Sequence, residues 1–580
     1  MSEHLAHDVG QGVHAQKVME SYQTWFGESP ELSVLRLLGL FDRPADEKAL
    51  GALLKPPAIQ GLTESLTHLS QTEWRTVLGK LRRARLLARE DTHNPGFIDT
   101  HPLVREYFGE QLRSELADAW KKCNKRLYDH YRSVAPQLPD TFRDMEPLFL
   151  AVICGCNAGL YREALHEVYI PRIQRGNDSF AAKVLGARGA VLSVLAHFFE
   201  HGRWGSMVQK GVEEQSLTPE DQLFILTQAA LYLTATRGLA APEARICYER
   251  AEPLCHSLDR PLLLYSALIG QWRYSSLTAK VTTTLQLAKR VYALSRERND
   301  AALMVGAYRA LAITHYFFGD FETTRRYAKR GVQTWRSGGA EPSVEEVYAP
   351  VVLCLCFESL SAWRLGKFAP CHAAMTKAIS LAKEPGDTHA LAHALCFAAL
   401  LSYFERNVSE VEGLASEAIE LSMRYDFAHW PAFATVLRGW ARSASGDVAQ
   451  GIAWIEDGIR HYRMVNSIAM TPCWLSVRAE TLHRANRSSE AAEAITEAQA
   501  LAQRSEERWW CAELYRLHAV LLAATGAGEA QIETSVCAAI RTAKEQKSIS
   551  LAKRAEATYA EYLRQKANAS GGRGFRLPLW

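Results

Sequence analysis

The stretch AYRALAITHYFFGDFETTRRYAKRGV, residues 307–332, decides the fold. Apolar and small residues recur at helical spacing on both sides of Gly319, and glycine readily takes the left-handed conformation that ends a helix. The stretch reads as helix, tight turn, helix, with Tyr308, Leu311 and Ala312 on the first helix and Ala328 and Gly331 on the second. The pattern repeats. AKRVYALS, beginning at Ala288, aligns with AKRGVQTW, beginning at Ala328, an offset of 40 residues. The anchor three places on falls at Val291 and Gly331, and one step back lands on Ala251. After 47 residues the register resumes at Ala378 and runs at intervals of 40 through Ala418, Gly458, Ala498 and Ala538. The array is eight units with one insertion of seven residues, expected within SGGAEPSVEE, 337–346. Twelve residues before the anchors stand Gly319, Gly366, Gly446, Asn486 and Gly526; Arg406 and Ala279 break this second pattern, and Gly238 is one place off.

A self-similarity of this length means helix pairs that cannot bury their apolar stripe alone and must stack. The local sequences resemble tetratricopeptide repeats, in a unit longer than the usual form, similar to the extended repeats of bacterial signalling proteins. The resemblance implies an all-α chain whose repeats form a right-handed tetratricopeptide-type α-solenoid with a 40-residue period and a concave binding face. The repeats are assigned to 241–565, a degenerate helical connector to 136–240, and a flexible tail to 566–580. Within the connector, FLAVICGCNAGLYREALHEVY (148–168) reads as a degenerate helix pair. In the tail, Phe575, Leu577, Leu579 and Trp580 are the residues able to dock as a peptide.

Residues 1–20 read as a linker and 21–135 as a separate module. ELSVLRLLGLFD (31–42) and ADEKALGALL (45–54) are short helices, the first stopped by Pro44 and the second by Lys55-Pro56-Pro57. EWRTVLGKLRRARLLARE (73–90) has helical periodicity throughout. DTHNPGFIDT (91–100) supplies turn residues and a short extended piece, and HPLVREYFGEQLR (101–113) restarts a helix. Three helices, a small hairpin and a following helix point to a winged-helix-like module.

FIDTHPLVREYF (97–108) resembles the MHD segment of the winged helix in STAND nucleotide-switch proteins, the class that includes the plant NB-ARC proteins. VLRLLGLFDRPAD (34–46) and ERWWCAELYRLHAVLL (507–522) extend the likeness to the back half of bacterial STAND proteins, from about Val18 to Glu561. In that family the motif histidine contacts the β-phosphate of bound ADP, a role that would fall on His101. The usual aspartate is replaced by Pro102. The residues alone also allow His101 simply to cap the helix that begins at Pro102.

Several activities are excluded. The 580 residues carry 67 basic and 64 acidic side chains, net +3, too balanced for a nucleic-acid coat. No apolar run is long enough to span a bilayer, and the first residues are not a signal peptide. The twelve cysteines are scattered without metal spacing, and Cys154/Cys156 and Cys354/Cys356 lie in apolar segments as buried thiols, which points to a cytoplasmic location. There is no phosphate-binding GxxxxGK[ST] loop; Gly79-Lys80 and Gly366-Lys367 are followed by Leu and Phe. VVLCLCFE (351–358) falls in the repeat register and reads as buried helix. No enzyme motif, metal site or cofactor site is found.

Two surface features remain. Arg75, Lys80, Arg82 and Arg83 make one segment basic, as in a DNA- or partner-contacting helix. Trp430, Trp440, Trp454, Trp474, Trp509 and Trp510 gather late in the array, and Trp430, Trp440, Trp509 and Trp510 are the candidates for binding in the repeat groove. The sequence thus indicates a non-enzymatic sensor that binds a protein or peptide. By resemblance, its winged helix couples to a P-loop NTPase and effector, in bacteria often for antiphage defence. A membrane or nucleic acid is not an expected partner. The rival readings are a ligand-responsive transcription regulator and a plain scaffold.

Overall fold

The forty-residue ruler is the period of the chain's architecture. The computed structural model describes residues 17–90, 93, 96–176, 178–208, 215–278, 280–338, 350–384, 387–425, 427, 429–568, 575 and 577–579. Most of the expected insertion at 337–346, along with Ala279 and Trp580, lies outside them. The chain is all-helical among these residues, with two isolated β-bridges, and divides into units of Met1–Ile225 and Leu226–Trp580. Most of the 136–240 connector therefore belongs to the first unit.

The first unit begins with α1 (17–26), α2 (Pro30–Leu38), α3 (Glu47–Leu53), α4 (Gln71–Arg83), α5 (Pro102–Glu115), α6 (Ala117–Val134) and α7 (Phe142–Ala158). Helix α4 opens on a capping box: the Ser70 hydroxyl accepts from the Glu73 N–H, and the Glu73 carboxylate accepts from the Ser70 N–H at 2.8 Å. It stops at Arg83, earlier than its periodicity indicates, because Arg85 turns left-handed at φ 59°. Leu86 and Leu87 stay buried, but the extended chain now places them there. Ala88 donates to the Asp99 carbonyl at 2.9 Å, and Ala45 and Ile98 exchange hydrogen bonds at 2.9 Å. Helices α2 and α5 cross at two glycines: a Cβ on Gly39 would lie 2.3 Å from the Gly109 nitrogen. Only hydrogen at both positions permits this crossing, which sets the head of α5. After α7 the chain turns at Gly159 (φ 81°) into Tyr161–Glu163 and a π-helical run, Ala164–Gln174, that contains Pro171. The expected helix pair at 148–168 is thus a helix, a left-handed turn and a second helix.

The second unit is built on helix pairs. These are α8 and α9 (Pro219–Arg237, Pro242–Ser257), α10 and α11 (Pro261–Thr278, Val281–Arg298), α12 and α13 (Ala301–Phe318, Phe321–Gly338), and α14 and α15 (Pro350–Arg364, Phe368–Lys383). They continue as α16 and α17 (Thr388–Phe404, Val408–Arg424), α18 and α19 (Trp430–Ala444, Val448–Met464), α20 and α21 (Thr471–Arg484, Ser488–Ser505), and α22 and α23 (Cys511–Ala524, Glu529–Glu545). Helix α24 (Ile549–Asn568) ends the array. Gly238, Gly319, Gly366, Gly446, Asn486 and Gly526 all take positive φ at the turns within pairs. Arg406 does too, at φ 62°, although it is neither Gly nor Asn. The anchors from Ala251 to Ala498 are buried in the second helices. The last is shifted: Ala539, not Ala538, is fully buried, because the turn after Gly526 is one residue longer and α23 starts at Glu529.

First helices are buried nearly all round. In α14, Val351 through Phe357 are buried without a break, whereas α17 buries only Val411, Ala415, Ala418 and Ser422. First helices therefore form an inner layer and second helices an outer one. The inner layer closes on itself. The last carbonyls of an α-helix have no partner within it, and here the next turn of the coil supplies one. The Leu277 carbonyl at the end of α10 accepts from the Ile468 and Ala469 N–H groups at 2.7 and 3.0 Å, just before α20. The Phe317 carbonyl at the end of α12 accepts from Arg508 and Trp509 N–H at 2.8 and 3.3 Å, just before α22. The Arg364 and Trp363 carbonyls at the end of α14 accept from the Ser548 and Ser550 hydroxyls, 184 and 187 residues further on. Each contact joins a first helix to the entry of the helix five pairs later, so the coil completes one turn in five pairs.

The expected flexible tail is in part docked. Leu577 is buried, with Phe575 and Leu579 beside it, among Ala519, Val520, Ile532, Val536 and Tyr562 of the last helices. The Arg516 guanidinium donates to the Leu579 carbonyl at 2.6 Å. The tail covers the apolar face of the last helices.

Candidate functional site

Three places answer to the sequence reading. The first is the head of α5. His101 is its N-cap residue, with Pro102 at the first helical position, and the His101 Nδ1 accepts from the Leu103 N–H at 3.3 Å. An accepting Nδ1 leaves Nε2 as the nitrogen able to donate. The capping reading is therefore realised in the fold. His101 is exposed, and Phe97 and Leu103 on either side of it are 42% and 47% exposed. The surrounding turn is held by the Arg105 guanidinium, which bonds Asp99 and donates to the Asp42 carbonyl at 2.8 Å.

The second is the basic segment on α4. Lys80 pairs with the buried Glu31 carboxylate at 2.9 Å, and Arg82 with Glu90 at 3.3 Å. Both cations have internal work; Arg75 and Arg83 are exposed. The segment is not a continuous free basic stripe.

The third is the late tryptophan cluster, and here the groove expectation is corrected. Trp430, Trp440, Trp509 and Trp510 are all buried, the last three among the largest fully buried side chains. They face the axis of a coil that has closed, so no open groove presents them. Trp509 lies against Tyr316 at 5.4 Å, Trp510 stacks on Phe404 at 5.1 Å, and Trp440 meets Tyr403 edge-on at 4.9 Å. Of the four, Trp430 lines a cavity within the inner layer.

These tryptophans surround a charged cluster that the sequence reading missed. The Glu480 carboxylate, fully buried, accepts from Trp440 Nε1 at 2.7 Å, from the Tyr403 hydroxyl at 3.2 Å, and from Arg406 at 2.9 and 3.0 Å. Glu513, also buried, is held by Arg516 at 2.8 and 3.0 Å, with Arg554 and Arg406 at 3.7 and 3.6 Å. Burial pushes the Glu513 carboxyl up, but the three guanidinium groups outweigh it and hold the group at about 2. Burial lowers Arg554 to about 10 against the pull of Glu513. Arg364 is fully buried amid Phe404, Trp510, Trp363, Trp509 and Phe321, with the Tyr316 hydroxyl at 3.3 Å. One signal was available: Arg406 stands where the ruler calls for glycine, and Glu480 lies forty residues after Trp440. The cluster joins α16, α18, α20, α22 and α24. It locks the coil and contains no nucleophile paired with a base. Among the described residues no group of three or more His, Cys, Asp or Glu side chains is placed to hold a metal ion, and no helix is long and apolar enough to cross a membrane.

No family model matches the sequence. Over 385 residues the chain is 22% identical to an uncharacterized protein of Rhizobium meliloti (strain 1021), a match that covers 66% of this chain and 37% of that protein. The chain thus spans little more than a third of that relative's length. Among solved structures it is similar to a signal transduction ATPase with numerous domains that has a tetratricopeptide repeat sensor, from Pyrococcus horikoshii, at 13% identity and a TM-score of 0.31, covering 90% of this chain and 64% of that one. It is similar to the APC/C hetero-tetramer Cut9-Hcn1 at 12% identity and 0.35, covering 78% and 83%. It is also similar to a Rap protein complexed with competence and sporulation factor, at 11% and 0.29, covering 73% and 96%. The architecture is an α-solenoid of consecutively packed helix pairs.

Proposed function

We propose that this chain is a non-catalytic sensing and interaction module: the repeat coil receives a signal, and the first unit, acting as a winged helix, passes it to a STAND-type NTPase. The NTPase lies in a separate polypeptide or in a longer parent protein. The observation that carries this reading is the exposed head of α5. There an exposed histidine sits at a helix N-terminus, flanked by exposed Phe97 and Leu103. A helix N-terminus favours negative charge, and an N–H donor beside it suits a phosphate oxygen. The apolar flanks suit the protein that carries the nucleotide. On the repeat coil a protein partner would meet the outer layer, where Met423 and Met464 are 73% and 70% exposed at the ends of α17 and α19.

The test is an affinity pull-down of the tagged chain from its native cell extract, read by mass spectrometry. The reading expects a P-loop NTPase that is lost with His101→Ala and with Leu103→Asp while the circular dichroism is unchanged. His101→Asn separates the two roles of the residue: asparagine is a strong cap but places no donor where the imidazole Nε2 stands. Retention of the NTPase by His101→Asn would reduce His101 to a cap, and recovery of no NTPase at all would sink the coupling.

A further inference from the structure

The axis of the coil is filled over most of its length, but a cavity remains in its first turn. It encloses about 60 Å³ and opens to a mouth. Its walls come from five successive first helices, with Trp272 and Arg273 of α10, Phe357 of α14, His393 of α16 and Trp430 of α18 among them. One end is covered by Ala469 and Met470, from the loop that returns five pairs later. Much of the wall is aromatic. Phe397 stacks on His393 at 4.5 Å, and His393 meets Trp430 edge-on at 4.4 Å. No carboxylate lines it.

One wall residue is out of place in an apolar chamber. Arg273 is 93% buried by its 7% exposure, and its Nη1 is sealed from solvent without a hydrogen-bond partner. Among the described residues no carboxylate lies within ion-pair distance of it. A buried guanidinium N–H without an acceptor is costly and is retained where something else supplies the acceptor. The other ionisable groups do not compensate. Burial holds the His393 imidazole well below its usual range and His429 near 4, so both wall imidazoles are neutral at physiological pH. The chamber is therefore cationic through a single group, in a wall of aromatic and aliphatic side chains.

We propose that this cavity is a binding site for a small aromatic acid, whose ring packs among Trp272, Phe357, Phe397 and Trp430 and whose anionic group pairs with Arg273. The ligand would touch both turns of the coil, Arg273 on the first and Met470 on the second. Two amides of the covering loop, Ile468 and Ala469, are the ones bonded to the Leu277 carbonyl, and Leu277 also lines the cavity. Occupancy therefore fastens the seam that closes the coil. Met470 is unbranched and adaptable, and it is the wall element that yields to admit a ring. The site stands whether or not the first unit couples to an NTPase.

The test uses the full chain and a panel of benzoate, indole-3-carboxylate and naphthalene-2-sulfonate, with benzyl alcohol as the uncharged ring. Binding is read by tryptophan fluorescence and thermal shift, and the seam by hydrogen exchange at Ile468 and Ala469. At least one acid is expected to bind at least tenfold tighter than benzyl alcohol and to slow exchange at both amides. Arg273→Met removes the charge and should weaken that acid at least tenfold; Ile313→Trp fills the chamber with the arginine intact and should abolish binding. An independent surface change, Arg460→Met, should leave binding unchanged and controls for general destabilisation. Equal binding of acid and alcohol, binding indifferent to both Arg273→Met and Ile313→Trp, or no binding by any panel member would overturn the proposal.

Discussion

Replacing Arg406 by glycine tests whether the buried charge cluster, and not the turn, explains the residue. Arg406 occupies a left-handed turn, φ 62°, where five other pairs of the array place Gly and one places Asn. A non-glycine residue there costs about 1–2 kcal/mol, which glycine would recover. Against this, the Arg406 guanidinium meets both oxygens of a fully buried Glu480 at 2.9 and 3.0 Å. Removing one partner of a buried pair costs about 3–5 kcal/mol, because the remaining charge is left without compensation. Arg484, at 3.6 Å from Glu480, takes up part of that charge and places the loss at the lower end. Arg406→Gly should therefore lose about 2 kcal/mol net, and Arg406→Ala about 1 kcal/mol more, since alanine keeps the turn penalty as well. The assay is urea unfolding followed by tryptophan fluorescence, apt because Trp440 donates directly to Glu480. The midpoint should fall in the order wild type, glycine, alanine with the slope unchanged. Glu480→Gln in the Arg406→Gly background should restore part of the loss. A glycine variant as stable as wild type, or more so, would refute the reasoning and make Arg406 an unoptimised turn residue.

Three further outcomes follow from the same geometry. Gly458→Ala should lower the melting temperature: the new Cβ would lie 2.7 Å from Val436 Cγ2 and 2.9 Å from the Ala432 carbonyl, and overpacking of about 1–3 kcal/mol outweighs the gain in helix propensity. The urea midpoint should fall as pH drops from about 6.5 toward 4. His389 and His429 titrate near 4 in the fold, chiefly through burial, against 6.5 when unfolded, so the unfolded chain takes up protons first, by about 3 kcal/mol for each at full effect. Burial raises Glu507 to about 7, so its contribution runs the other way between 4.5 and 7, and a midpoint flat or rising toward pH 4 would show that this one carboxyl outweighs the histidines. Leu577→Asp should undock the tail, read as faster hydrogen exchange in α22 to α24 with α10 to α14 unchanged, because Leu577 is buried only against the last helices.

The repeat was legible because it rests on local physics. A left-handed turn asks for Gly or Asn at one position, and a close helix crossing asks for a small residue at another, so both recur every forty residues. The early end of α4 was not legible, because a helix continued to Glu90 and a chain reversed at Arg85 both bury Leu86 and Leu87. The shift from Ala538 to Ala539 arose from one added turn residue between two equally small candidates. The tryptophans show a larger limit. Their spacing places them on first helices, but whether that face looks onto a groove or a filled axis depends on where the coil closes. Closure is made by backbone carbonyls at helix ends with backbone amides and two serine hydroxyls nearly two hundred residues away, and the main-chain contacts leave no mark on side-chain pattern. Arg406 was the exception: it broke the ruler, and the break marked the centre of the cluster.

Closure also decides what kind of signal the coil can receive on its inner face. A peptide laid along the axis would have to displace Trp509, Trp510 and Arg364 from one another and from Phe404, and expose Glu480 and Glu513 to new partners. Each seam hydrogen bond contributes only about 0.5–1.5 kcal/mol, but the buried charge cluster adds several more, and all of it must be lost together. To shift such a coil from almost wholly closed to almost wholly open, a ligand must prefer the open form by about 5.5 kcal/mol or more. A ligand within the first-turn cavity faces no such demand. It enters a cavity the fold already holds, touches both sides of the seam at Leu277, and favours the closed state by its own affinity. On the proposed reading, small ligands would belong to the axis and protein partners to the outer layer. The state of the seam at Leu277 is the variable through which the two would be coupled.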